Sequence, residues 1–254
     1  FDGMSAYENN LFQIRWKRGS HYESQKEIRI KLNEAFLDAG VKETVFSLVL
    51  NEQWDTLREW IRNDPTLVQK KFYMDRTILH LCAANADESF IRFLLQNGAD
   101  INAVDELAMT PAMTSYILDQ SRGELGLDIG LFFYQSGHVP FSQTDNLPLL
   151  VDLGADSEHV GYQNVTLLHL ASSFAISEST LEALLPLKNI DATLGKEILP
   201  IDLALLHQNL IAVRWLMNHG AVIDSKSVSV AVRKSDSELL RLLLEFGANP
   251  NEPN

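Results

Sequence analysis

Cysteine is nearly absent from this 254-residue chain: Cys82 is the only one. No disulfide can form within the chain and no multi-cysteine zinc site can be built. A single thiol fits a reducing, intracellular compartment. Long apolar runs are lacking too, and no stretch approaches the roughly 20 residues that cross a bilayer. Residues 1–10 are polar and carry no signal-peptide core. Basic residues are scarce: 21 Lys and Arg stand against 34 Asp and Glu, for a formal charge of -13. Such a surface repels phosphate backbones and anionic lipid, which argues against nucleic-acid and membrane-surface roles. The one basic concentration, Arg15, Lys17, Arg18, Lys26, Arg29 and Lys31, is broken by Glu23 and Glu27 and reads as solvated surface. Gly123, Gly126 and Gly130 neither follow a strand nor contain a lysine, so they make no phosphate loop. His138, His159, His207 and His219 show no metal-ligand spacing.

What the chain does have is a period. Thr77-Ile78-Leu79-His80 and Thr110-Pro111-Ala112-Met113 lie 33 residues apart, as do Thr166-Leu167-Leu168-His169 and Leu199-Pro200-Ile201-Asp202. Glycine-alanine pairs recur at Gly98, Gly154, Gly220 and Gly247. From Gly98 to Thr110 is 12 residues, and from Gly154 to Thr166 is again 12. The threonines can cap helix starts. Pro111 and Pro200 suit a first helical position, and the glycines suit the left-handed turn that ends a helix. Between these marks lie two short apolar-periodic segments, each too short to be stable alone. Such segments shelter their apolar faces only against neighbouring copies.

At these residues the chain resembles the ankyrin-repeat family, whose signature runs from a Thr-Pro-Leu-His helix start to a Leu-Leu-x-x-Gly-Ala-Asp helix end. The nearest match to that pattern is Phe72 to Val104, and the resemblance covers about residues 43 to 251. It implies an all-α solenoid of about five to six helix–turn–helix units: 41–71 (degenerate), 72–104, 105–160, 161–193, 194–224 and 225–254. The third unit is irregular. Thr110 to Gly154 is 44 residues against 21 from Thr77 to Gly98, so 23 extra residues fall at about 119–146. The segment Gly126 to Tyr134 inside it is apolar enough for a short helix. A second parse places the third unit's glycine at Gly137 and leaves Leu147 to Gly154 as a one-helix remnant. Ser24 to Ala39 reads as a helix, and residues 1–40 are expected to cap the N-terminal end. The last helix, Glu238 to Phe246, is apolar for an outermost face, and Asn249-Pro250-Asn251 starts another finger. We therefore expect either further chain beyond Asn254 or a cover over this end.

His80 and Cys82 invite a nucleophile reading. The family makes that histidine structural, and a cysteine in place of a buried alanine is packing. His169 takes the same role, and Asp202 is a variant of it. No catalytic residue, metal or cofactor is expected. The resemblance implies a non-catalytic module that binds a protein or peptide, with basic residues favoured by the acidic surface. Its groove would be lined by finger residues Tyr73, Met74, Arg76, Glu106, Leu107, Met109, Tyr162, Gln163, Val165, Lys196 and Ile198. First-helix ends would add Asn85, Phe174, His207, Arg233 and Lys234. Met109, Tyr162 and Phe174 are the preferred anchors, because large amphipathic or aromatic groups bury much area at modest entropy. The alternative is the recognition region of an enzyme or of a secreted bacterial effector, with chemistry in the insertion or outside this chain. The period names no partner and no oligomeric state.

Overall fold

Among the described residues of the computed structural model the regular elements are short helices, several of them started by a polar side chain or a proline. The structure describes residues 43–116, 145–175, 177–185, 189–194, 198–223, 225–234 and 236–249. The expected N-terminal cap and almost all of the 119–146 insertion lie outside these residues, as does Lys196. Twelve α-helices are present among the described residues: α1 Val45–Leu50, α2 Trp54–Asn63, α3 Ile78–Cys82, α4 Glu88–Gln96, α5 Pro111–Thr114, α6 Leu147–Asp152, α7 Leu167–Phe174, α8 Glu178–Glu182, α9 Pro200–Leu206, α10 Leu210–Asn218, α11 Ser225–Lys234 and α12 Ser237–Glu245. There is no strand among them, only the isolated bridges Val160–Thr166 and Leu194–Ile198.

The chain divides into two compact bodies, one ending at Asn146 and the other running on from Leu147. In the first body the odd helices pack in a row, α1 on α3 on α5, while α2 packs on α4. In the second, α7, α9 and α11 form one row and α6, α8 and α10 the other. That is the arrangement expected of helices four to ten residues long, which find apolar cover only in the next pair. Leu48, Leu57, Ile61, Ile78, Phe90, Ile91 and Leu94 fill the first core, and Leu170, Leu181, Ile201, Leu205, Val213, Trp215 and Leu216 the second.

Helix starts follow the residues named above, with one refinement. Thr166 and Thr110 accept the N–H of the residue three places on, His169 and Met113, each at 3.4 Å. Asp87, Asn209 and Asp236 do the same for α4, α10 and α12. Pro111 and Pro200 open α5 and α9, where no intrahelical donor is lost. After α4 the chain turns through Gly98 at φ +90°, and after α6 through Gly154 at φ +103°, a region that side chains with a Cβ disfavour. At the degenerate end of α2, Asp64 instead accepts the Thr66 N–H at 3.1 Å and starts a single 3₁₀ turn, Pro65–Val68.

Two asparagines stitch second helices to the preceding first helix. Asn209 Nδ2 donates to the carbonyls of Ser172 and Ala175 at 3.2 and 3.1 Å. Asn146 Nδ2 donates to those of Ala83 and Ala86, both at 2.9 Å. The sequence separations are 37 and 34 for Asn209 but 63 and 60 for Asn146, so the same tie spans 26 more residues. Asn146 to Gly154 is 8 residues whereas Asn209 to Gly220 is 11. The surplus therefore precedes Asn146, and α6 is about a turn shorter than α10. Asn209→Asp keeps the cap acceptor and removes the donor. It is expected to lower stability by about 1–3 kcal/mol in urea unfolding, the usual effect of leaving buried carbonyls unpaired.

Candidate interaction surface

Four connecting fingers close on themselves through the backbone, the last of them by a second bond as well, from Ile198 N–H to Leu194 O at 3.2 Å. Phe72 N–H donates to Arg76 O at 2.8 Å, Asp105 to Met109 at 3.1 Å, Gly161 to Val165 at 2.9 Å and Leu194 to Ile198 at 2.8 Å. The closed turn forces left-handed backbone on side-chain-bearing residues: Met74 at φ 58°, Asp75 at 59°, Ala108 at 53°, Gln163 at 57° and Asn164 at 65°. Glu106 N–H then donates to Met74 O at 3.0 Å, tying the second finger to the third.

Beneath those two fingers runs a buried ion pair. Arg76 Nε and Nη2 both meet Asp105 Oδ2 at 3.0 Å. Asp105 Oδ1 accepts the N–H groups of Leu107 and Met109 at 2.8 and 2.9 Å. The carboxylate is thus satisfied on both oxygens, and the pair holds finger to finger.

The histidines do the same from the helix side. The Thr77 N–H donates to His80 Nδ1 at 3.2 Å, and the Thr77 hydroxyl lies 2.8 Å from the same nitrogen. With Nδ1 accepting, the proton sits on Nε2, which donates to Met109 O in the next finger at 3.1 Å. His169 repeats this: Thr166 N–H to Nδ1 at 3.2 Å, and Nε2 to Ile198 O at 3.3 Å. Burial pulls both imidazoles down to about 4, outweighing the carbonyls that favour their charged form. At Asp202 a carboxylate accepts the Leu199 N–H at 3.0 Å, keeping the local half of the arrangement.

The nucleophile reading of His80 and Cys82 has no geometry behind it. Cys82 is fully buried, its Sγ 3.8 Å from the Leu79 carbonyl, and burial pushes its thiol far above the ordinary range. His80 has both ring nitrogens engaged elsewhere. Cys82 is expected to stay unlabelled by a thiol reagent at neutral pH for hours and to react at once in denaturant. Rapid labelling of native protein would show that the core is open there. Among the described residues no three His, Cys, Asp or Glu come together as a metal site, and no helix is long and apolar enough to cross a membrane.

The expected groove residues separate into two groups. Arg76, Met109 and Val165 are buried, so they hold the fingers rather than face a partner. The burial of Met109 has a clear cause: its backbone is gripped by both Asp105 and His80. Met74, Leu107, Gln163, Ile198, Asn85 and His207 are half-buried, Glu106 and Arg233 are exposed, and Tyr162 is 45% exposed. The backbones of Tyr73, Phe174 and Lys234 lie in a finger, in α7 and in α11. Two exposed apolar residues were not singled out beforehand. Val104 and Val160 stand six residues after Gly98 and Gly154, and that shared spacing was the available signal.

Comparison with known proteins agrees with this geometry. The ankyrin-repeat family model matches residues 74–106. Those residues form an ankyrin repeat. A crystal structure of the human ASB11 ankyrin repeat domain superposes with a TM-score of 0.63 at 20% identity, covering 84% of this chain and 87% of that one. At that identity the likeness shows the ankyrin fold alone. No curated protein matches the sequence. Ankyrin repeats form a protein-interaction module, and that coarse function is what the fold supports.

Proposed function

We propose that this ankyrin-repeat chain is a non-catalytic binding module that takes a protein or peptide along its fingers and first-helix ends. The observation carrying the reading is the division just described. Arg76, Asp105 and Met109 lock the two fingers of the first body from below, which leaves Met74, Glu106 and Leu107 at their surface, and in the second body Tyr162 and Gln163 stand on the finger closed between Gly161 and Val165. A rigid loop presenting an aromatic and a few aliphatic groups at low entropic cost is suited to recognition. Tyr73 and Asn85 belong to the proposed surface of the first body, with Val104, and Phe174, Lys196, Ile198 and His207 to that of the second, with Val160. Of the three anchors first favoured, Tyr162 is the exposed one that the structure describes with its side chain.

The formal charge of -13 favours a partner with basic residues. The same proposal includes about five to six units between 41 and 254, a capping segment at 1–40 and an intracellular location, for which the buried, unpaired Cys82 is the support. Peptides selected from a random displayed library on the wild-type protein give the test. Tyr162→Ala and Leu107→Ala together are expected to weaken the selected binders at least tenfold, about 1.4 kcal/mol. The melting temperature is expected to stay within about 2 °C. Equal losses of binding and stability, or binders indifferent to both changes, would remove the finger surface from the reading.

A further inference from the structure

Of the asparagines in the chain, Asn97 alone precedes a glycine. The pair Asn97-Gly98 ends α4, whereas the glycines that follow α6, α10 and α12 come after Leu153, His219 and Phe246. The order matters chemically. Glycine has no Cβ to shield its nitrogen, so that nitrogen can reach the thermolabile side-chain amide of the residue before it. Asn97 is half-buried and Gly98 exposed, so water has access to the pair. Three features of the folded helix end oppose the contact. The Gly98 N–H donates to Leu95 O at 3.1 Å. Asn97 Nδ2 donates to Phe93 O at 2.8 Å. Asn97 sits at φ -94° and ψ 14°, which turns the Gly98 nitrogen away from the asparagine Cβ. Two further bonds hold the turn in that shape: Gln69 Nε2 donates to Gly98 O at 3.4 Å, and Ala99 N–H to Leu94 O at 3.0 Å.

We propose that Asn97-Gly98 is a self-modifying site, closed while the end of α4 is packed and reactive once that end opens. The Gly98 nitrogen attacks Asn97 Cγ. An N–Cγ bond forms, the Cγ–Nδ2 bond breaks, and the nitrogen's proton leaves with the amide as ammonia. Water then opens the five-membered ring. Attack at Cγ leaves aspartate. Attack at the main-chain carbonyl leaves isoaspartate, whose backbone runs through the former side chain and is one carbon longer. The reaction consumes water alone and transfers no electrons. The longer backbone has a physical consequence. The bonds from Gly98 and Ala99 back to Leu95 and Leu94 depend on the residue spacing of a helix end, and the extra carbon falls between donors and acceptors. The same junction leads to Asp105, whose carboxylate pairs with Arg76. The site thus records an opening of this unit as a permanent change. It uses no finger side chain and no partner, so it stands or falls apart from the binding reading.

The test is mass spectrometry of the tryptic peptide that follows Arg92, taken from chain held at mildly alkaline pH either native or unfolded in urea. In urea the conversion of amide to acid is expected at Asn97 before any other asparagine. In the native chain it is expected to be at least about tenfold slower, the effect of an opening that costs about 1.4 kcal/mol. Equal rates in the two states overturn the gate. Earlier conversion of another asparagine in the unfolded chain overturns the site. The isoaspartate form, separated by chromatography and refolded, is then compared with Asn97→Asp, which carries the aspartate product alone. It is expected to melt at least about 2 °C below that variant, because its backbone no longer fits the helix end. Equal melting temperatures overturn the consequence drawn from the longer backbone.

Discussion

Asp105→Ala is expected to lower the unfolding free energy by about 3–5 kcal/mol, the range for removing one partner of a buried ion pair. Its carboxylate accepts Arg76 on one oxygen and two backbone N–H groups on the other. The change therefore takes the counter-charge from a guanidinium that is 5% exposed and removes the acceptor of the Leu107 and Met109 N–H groups. Arg76→Met with Asp105→Leu removes both charges and is expected to recover much of the loss, because two desolvation penalties vanish together. Two unmet backbone donors remain, so recovery stays incomplete. Urea unfolding of the two variants beside wild type decides it. A single-mutant loss below about 1 kcal/mol would mean that the pair is solvated and does not lock the fingers.

The second large effect is acid sensitivity in a window set by His80 and His169. Both imidazoles titrate near 4 in the folded chain against an ordinary 6.5, with burial as the main cause. Between these values the unfolded chain takes up a proton on each histidine and the folded chain does not. Stability is therefore full above pH 6.5, falls as the pH drops and stops falling from this source below about 4. The limiting loss is about 3 kcal/mol per histidine. Near pH 5 the slope is about 1.4 kcal/mol per pH unit for each. Asp87 acts lower: the Ser89 hydroxyl beside it, more than the Phe90 N–H and Arg58, holds it below the usual carboxylate range of 3.8, outside this window. Urea unfolding at steps from pH 7.5 to 4.5 measures the slope, and His169→Asn is expected to halve it. An unchanged slope in that variant would show that His169 is solvated and not the tether to Ile198.

The sequence made the solenoid legible because its punctuation is chemical. Threonine, proline and glycine recur at fixed offsets, and each has one local task that needs no knowledge of the rest of the chain. The tethering role of His80 was also readable, since the residue stands in a recurrent motif. What could not be read was which finger residues face outward. Met109 and Tyr162 look alike as anchors in a one-dimensional string. Only Met109 has its N–H taken by a carboxylate four residues back and its carbonyl by an imidazole 29 residues back. Arg76 looked like a surface cation for the same reason: its counter-ion sits 29 residues away, in the next unit. The asparagine ties were missed because no motif marks Asn146 and Asn209; their partners are carbonyls, which every residue has.

Asn146 carries a consequence for the irregular third unit. The Tyr116 hydroxyl lies 3.4 Å from Asp145 Oδ1, and Asn146 then hangs from two carbonyls of the preceding unit. Tyr116 and the Asp145–Asn146 pair thus meet at one small spot of the first body, and the bonds named there join described residues. A folded reporter whose own ends lie close together, such as a small fluorescent protein, can be spliced between Tyr116 and Asp145 without asking either edge to move. Loop closure grows only slowly with the length of the detour. That makes the spot a natural port for labelling this protein in cells.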